Sequence, residues 1–182
     1  MSAPDSANLA NSPEPASAAE DALYRMLDSL GIAHGTYQHV PVFTVQESRA
    51  VCADIPGGHT KNLFLKDRRG RLWLVVAREH VRIDLNALAR QLDAARFSFG
   101  AAELLIEVLG VPPGSVTPFG LMNDSALRVR VVLDEGMLAL DPLNFHPLRN
   151  DRTTAIAPDD LLKFVRATGH EPMIVRLPER AR

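Results

Sequence analysis

Apolar residues recur along the chain at two periods, and each period predicts its own kind of element. Ser17 and Glu20 have the spacing of a helix-capping box, Leu23, Met26, Leu27 and Leu30 follow at helical spacing, and Gly31 ends the run. Residues 33–40 alternate enough for a short strand. Thr44 and Glu47 form a second capping box opening a helix to about Asp54, which Pro56, Gly57 and Gly58 break. Asn62–Leu65 and Leu72–Ala77 flank Asp67-Arg68-Arg69-Gly70 and predict a hairpin. Asp84 caps a helix carrying Leu85, Leu88 and Leu92; Phe97–Phe99 is a short strand; Ala101–Leu109 is a helix stopped by Gly110, Pro112 and Pro113. Residues 127–133 and 137–140 suggest a strand pair about Asp134-Glu135-Gly136. Thr153–Ala157 is a strand, Pro158 starts a helix stopped by Gly169, and Met173–Leu177 is a last strand. Strands come both as hairpins and separated by helices, so the class is α+β with a mixed or antiparallel sheet.

Residues 1–16, rich in Ser, Ala, Pro and Asn, hold too little apolar surface to offset ordering and predict a disordered tail. A single domain over residues 17–182 follows. The chain of 182 residues is 46% hydrophobic and 23% charged, enough for one sizeable core. One cysteine excludes an internal disulfide and a Cys-clustered zinc site, and suits a reducing compartment. No apolar run approaches a membrane span, and the N-terminus lacks the pattern of a secretory signal, so a soluble cytoplasmic protein is expected. The formal charge of −2 gives no global reason to expect nucleic acid. Asp5, Glu14 and Glu20 lie within the first twenty residues, where no Lys or Arg offsets them, so the rest of the chain is near neutral. Arginine dominates the basic residues, and Lys61, Lys66 and Lys163 are the lysines.

Phosphate-binding, dinucleotide-binding and zinc-protease motifs and the nucleophile elbow are absent from the sequence, and the six histidines share no metal-ligand spacing. Cys52, between Val51 and Ala53, fits a buried small hydrophobe better than a nucleophile. Three segments carry more chemistry. In Pro56-Gly57-Gly58-His59-Thr60-Lys61-Asn62 two glycines permit close backbone approach, and a cation then opens an apolar strand, where it could meet an anion or a polarised carbonyl. The same pattern also suits a solvated lysine after a flexible turn. Gly114-Ser115-Val116-Thr117-Pro118-Phe119-Gly120 is a shaped loop able to present backbone N–H groups, or a plain connection. The run from Asn144 to Ile156 is dense in hydrogen-bonding side chains, and its His146 could orient a substrate or serve a neighbouring carbonyl.

In this order, Lys-Asn opening a strand, then G-x-x-x-P, then His-Pro-Leu-x-Asn with Thr-Thr-Ala-Ile, the segments resemble the aminoacyl-tRNA editing family that includes YbaK and the insertion domain of bacterial prolyl-tRNA synthetases. The resemblance runs from about Asp21 to Leu177, and Gly57 to Asp67 is most similar to the free-standing ProXp-ala (PrdX) group. It implies a mixed, partly barrel-like β-sheet wrapped by helices. It also implies hydrolysis of the ester joining a wrong amino acid to tRNA, with alanine on tRNA(Pro) as substrate. Catalytic roles fall on Lys61, Asn62, Gly114 and His146. Substrate contacts fall on Thr44, with Phe43, Ser115 and Pro118 beside it. The general base is the substrate's ribose 2′-OH, and neither a metal nor an organic cofactor is expected. The partners implied are the acceptor end of tRNA(Pro) and prolyl-tRNA synthetase, with no membrane. Val42, Phe43, Leu121 and Met122 are candidates for a wall that admits alanine and excludes proline. Lys66, Arg68, Arg69 and Arg71 on the hairpin, with Arg78, Arg82, Arg149 and Arg152, are candidate RNA contacts. Deacylation of Cys- or Ser-tRNA and non-catalytic capture of aminoacyl-tRNA or a synthetase are the alternative readings.

Overall fold

A computed structural model describes residues 17–180. The expected tail at residues 1–16 lies outside the described residues. Five helices are present: α1 (Ala18–Ser29), α2 (Val45–Val51), α3 (Leu85–Gln91), α4 (Ala102–Leu109) and α5 (Pro158–Ala167). Eight strands accompany them: β1 (His34–Gln38), β2 (Gly58–Asp67), β3 (Leu72–Arg78), β4 (Phe97–Phe99), β5 (Val129–Asp134), β6 (Leu143–Phe145), β7 (Arg152–Ile156) and β8 (Met173–Val175). Two short 3-10 helices, Pro118–Asn123 and Glu135–Ala139, complete the described chain.

The fold is α+β, as the pattern predicts. One mixed sheet runs in the order β1-β7-β6-β2-β3-β5-β8, with β4 added to β2. β2–β3, β2–β4, β6–β7 and β1–β7 are antiparallel, whereas β2–β6, β3–β5 and β5–β8 are parallel. Alternate residues of β2 and β3 send side chains to opposite faces, because the side-chain period of a strand is two. Phe64, Leu74 and Val76 join a core that includes Leu23 and Leu27 of α1, Leu105 and Leu109 of α4 and Phe164 of α5. Leu65, Trp73 and Val75 join a second core that includes Leu88 and Ala89 of α3.

The central strand changes partners along one edge. β3 pairs with β2 from Thr60 to Lys66. On the other edge β6 pairs with Gly58 and His59, and β4 pairs with Leu65, Lys66 and Asp67. Residues 60–64 therefore have a strand neighbour on one side only.

Three sequence expectations need correction. Residues 137–140 are not a strand: the Asp134 carboxylate accepts from the Gly136 N–H at 3.2 Å and turns the chain into a 3-10 helix that buries Met137. The strand in this region is Leu143–Phe145. All three of its residues are buried, and three residues are too few for the apolar–polar–apolar order of Leu143, Asn144 and Phe145 to mark a strand in sequence. β2 begins at Gly58, so Lys61 and Asn62 lie inside the strand instead of opening it. The second capping box is complete: the Thr44 hydroxyl accepts from Glu47 N–H at 3.1 Å, and Glu47 accepts from the Thr44 N–H. The first is half formed. Ser17 Oγ accepts from Glu20 N–H, but the Glu20 carboxylate turns inward and is fully buried.

That carboxylate ties α1 to the sheet. It accepts from Arg152 at 3.1 Å, from Arg149 at 3.5 Å and from the Tyr24 hydroxyl at 3.0 Å. Tyr24 also reaches Thr36 of β1 and Thr154 of β7. Removing one partner of a buried ion pair strands the other charge. Glu20→Gln should therefore lower unfolding free energy by about 3 kcal/mol, within the range for buried pairs. Urea denaturation measures this, and a midpoint unchanged from the parent protein would show that the network contributes nothing.

Candidate active site

A cavity of about 240 Å³ opens along the part of β2 that lacks a second strand neighbour. β2 supplies Thr60, Lys61, Asn62 and Leu63; the segment leading into α2 and α2 itself supply Val42, Phe43, Thr44 and Ser48. Gly114 and Val116 come from the loop after α4, Glu79 follows β3, and His146 follows β6. The four residues expected to be catalytic are thus brought together, with Thr44 and Phe43 beside them. Lys61 and Asn62 point to opposite faces by strand alternation, and both reach the cavity because it opens at the strand edge between those faces.

Each polar group is held differently. The Lys61 ammonium donates to the Val81 carbonyl, which leaves two of its three N–H groups for a ligand. Burial lowers its pKa, the Arg49 charge lowers it further, and Glu79 opposes both. Arg49 and Glu79 form an ion pair of 2.7 Å between α2 and the end of β3. His146 Nδ1 lies 2.9 Å from the Arg152 carbonyl, so this nitrogen carries the proton and Nε2 keeps its lone pair. Burial is the main cause that lowers the His146 pKa; the neighbouring His39 lowers it too, while the Arg152 carbonyl and Asp151 act the other way.

Gly114 has a φ of +89° and follows Pro113 in a turn closed by the Ser115 N–H on the Pro112 carbonyl at 3.1 Å. Proline then glycine at the two central positions is the pattern of a type II turn, which requires a positive φ at the second. A Cβ at Gly114 would meet Phe43 at 3.5 Å, an ordinary contact, so backbone conformation and not space calls for glycine. The facing wall is fixed by Asn150 and Val42: the Asn150 amide donates to the Val42 carbonyl, and the Val42 N–H donates to the Asn150 carbonyl.

Other expected contacts lie elsewhere. Ser115 and Pro118 are buried behind the loop and do not line the cavity. Leu121 and Met122 pack in the core, so the wall expected of them is provided by Leu63 and Val116 with Val42 and Phe43. Lys66, Arg68 and Arg69 are exposed at the far end of the hairpin; Lys66 is five residues beyond Lys61, or roughly 17 Å along the strand. Arg149 is bound to Asp151 and Glu20, Arg152 is buried against Glu20, and Arg78 is held by Asp134 at 2.7 Å. These three arginines serve the fold, as does Arg71 on the hairpin, which Asp67 holds at 2.7 Å; Glu20 and Asp134 lie far in sequence from the arginines they hold, whereas Asp151 is two residues from Arg149. Ser48 and Glu79 line the cavity without any sequence signal, because pairing of distant elements brings them there, whereas Thr60 enters it beside Lys61. Among the described residues, no three His, Cys, Asp or Glu side chains converge on a point that could hold a metal ion.

The family profile described as an aminoacyl-tRNA editing domain matches residues 39–164, and the chain belongs to that family. Among its relatives, the "Prolyl-tRNA synthetase associated domain-containing protein 1" of Bos taurus is 37% identical over 159 residues, covering 85% of this chain and 92% of that one. The "Prolyl-tRNA editing protein ProX" of Acetoanaerobium sticklandii is 34% identical over 153 residues, covering 84% and 93%. A crystal structure described as "a putative trans-editing enzyme for prolyl tRNA synthetase" shares the fold with a TM-score of 0.69 at 18% identity, over 91% of this chain and all of that one.

Two outcomes test the site's geometry. Gly114→Ala should destabilise the protein by about 1–2 kcal/mol, the cost of a left-handed backbone for a residue with a side chain; thermal melts of the pair measure it. His146 should titrate, by imidazole NMR, below the ordinary histidine value of about 6.5. The stability this contributes is complete above that value and is lost as the pH falls through the folded-state midpoint. A midpoint at or above 6.5 would contradict a buried neutral ring.

Proposed function

We propose that this protein is a hydrolase that removes the wrong amino acid from mischarged tRNA(Pro), with Ala-tRNA(Pro) the preferred substrate and Pro-tRNA(Pro) spared. The observation that carries this reading is the convergence of Lys61, Asn62, Gly114 and His146 on one small cavity in a chain of the editing family. The name of the ProX relative points to prolyl-tRNA as the class of substrate. An aminoacyl ester is already activated, so hydrolysis needs a positioned water and a stabilised oxyanion, not a covalent intermediate. The two unspent N–H groups of Lys61 suit the phosphate or ribose of the terminal adenosine. The loop at Gly114 suits the developing oxyanion, and His146 Nε2 suits a donor on the aminoacyl group. The substrate's 2′-OH serves as base.

Selectivity rests on shape. Val42, Phe43, Leu63 and Val116 give the cavity apolar walls, and a small side chain fits where the pyrrolidine ring of proline is excluded. Contact with RNA is confined to the acceptor end, with Lys66, Arg68 and Arg69 as outlying phosphate contacts, so binding falls only modestly with salt. Prolyl-tRNA synthetase is the candidate protein partner, and the cytoplasm is the compartment in which both are met. Among the described residues no helix is long and apolar enough to cross a membrane.

Deacylation of Ala-, Cys-, Ser- and Pro-tRNA(Pro) by the purified protein tests the proposal. Ala-tRNA(Pro) should be hydrolysed fastest and Pro-tRNA(Pro) left intact; faster turnover of the cysteinyl or seryl ester would reassign the substrate. Equal rates on Pro-tRNA(Pro) would end the editing claim, and no turnover of any ester would leave a binding module. Lys61→Ala should lower kcat/KM by about 100-fold, the scale of losing one electrostatic contact to the transition state.

A further inference from the structure

Among the described residues, two that line the main cavity carry a full charge, Lys61 and Glu79. They share one face of the sheet. Lys61 is paired with Ala77, and Glu79 follows two residues later. The Glu79 N–H donates to the His59 carbonyl at 3.0 Å, so the pairing of β2 with β3 continues through it. The carboxylate is close enough to raise the Lys61 pKa, yet the Lys61 ammonium turns to the Val81 carbonyl. Arg49 takes one carboxylate oxygen, Oε2, at 2.7 Å. Among the described residues no group donates to the other, Oε1, which is not shut off from solvent. The Glu79 side chain is only 12% exposed, whereas that of Arg49 is 53% exposed and more fully screened by water. An ionised carboxylate accepts at both oxygens, so the pair with Arg49 holds Glu79 in place and leaves Oε1 for a ligand.

An aminoacyl ester of tRNA carries the complementary charges. Its terminal nucleotide has a phosphate, and the carbon next to the ester carbonyl has a free α-amino group that takes up a proton. The two N–H groups left on Lys61 suit the phosphate. We propose that Glu79 Oε1 receives the α-ammonium of the aminoacyl group, and that Glu79 thereby selects esters that carry this amine. The role rests on the deacylase reading of the same cavity. Other acceptors on the wall do not replace Glu79. His146 Nε2 can accept one of the three ammonium N–H groups, but a neutral ring does not balance the charge. The Thr60 hydroxyl is spent on the Asn144 carbonyl at 2.7 Å, and the Thr44 hydroxyl accepts from the Glu47 N–H. A charge-assisted bond is roughly twice as strong as a neutral one, so loss of the ammonium is felt more than loss of a neutral donor. A growing peptide on tRNA has an amide in place of this ammonium, so the same contact spares peptidyl esters.

The test compares Ala-tRNA(Pro) with L-lactyl-tRNA(Pro), in which a hydroxyl replaces the ammonium at nearly unchanged size. Glu79→Gln should lower kcat/KM on the alanyl ester about 10-fold or more, the scale of one hydrogen bond to a charged group. On the lactyl ester the same variant should stay within about threefold of the parent protein. Comparing variant with parent on each ester cancels the difference in intrinsic reactivity. Arg49→Ala, which breaks the ion pair and keeps the carboxylate, should retain the preference for the alanyl ester. Glu79→Asp, which keeps the charge, should recover part of it and serves also if the glutamine variant does not fold. Equal losses on both esters in Glu79→Gln would show a structural role and overturn the proposal, as would an unchanged rate on the alanyl ester. A parent protein that hydrolyses neither ester ends the deacylase reading, and binding then decides the role of Glu79. The amide-linked 3′-alanylamino analogue of the terminal adenosine should bind the parent protein about 10-fold more tightly than its lactoyl counterpart; equal binding would overturn the assignment.

Discussion

The constraint on which the site depends is the change of partners along one edge of β2. A sheet pairs its backbone groups most completely when each strand runs beside the same neighbours throughout. Here β6 covers the start of β2 and β4 covers its end, and neither covers residues 60–64. The interval puts the backbone and both faces of one strand within reach of a single cavity. Lys61 and Asn62, which alternation sends apart, can then act on the same ligand. A strand paired on both edges throughout would have placed them on opposite sides of a closed layer.

The surrounding structure keeps that interval open and shaped. The Arg49–Glu79 pair ties α2, beside the cavity, to the end of β3. Asn150 and Val42 exchange hydrogen bonds and fix the wall below Phe43. Behind them the buried Glu20 carboxylate gathers Arg149, Arg152 and Tyr24, and so ties α1 to β7 and to the loop carrying His146. Polar groups buried this deeply stabilise only when they are fully paired, and their pairing fixes geometry as much as it adds stability.

Much of the fold was legible from local pattern. The long helices, the hairpin of β2 and β3, and the capping box at Thr44 follow from spacings of three, four and two that a few residues set among themselves. Local signals misled where a tertiary partner outbid them. Glu20 has the spacing of a capping residue, yet two arginines more than a hundred positions away take its carboxylate. Residues 137–140 carry strand-like side chains, yet the Asp134 carboxylate turns them into a 3-10 helix. Leu143–Phe145 is too short for its alternation to be read as a strand, since it has only three residues.

The site divides along the same line. The sequence by itself determined which residue types were available for chemistry: a lysine and an asparagine next to each other, a glycine in a proline-rich turn, and a histidine in a polar run. It also determined, through the order of those motifs, which family they resemble. Only the tertiary structure decided that these segments meet, that Leu63 and Val116 form the wall in place of Leu121 and Met122, and that Arg78, Arg149 and Arg152 serve carboxylates within the fold. The physical reason is range. Helix periodicity, caps and turns depend on neighbours a few residues apart, whereas a cavity is made by side chains that only long-range strand pairing brings together, and no short window of sequence contains them.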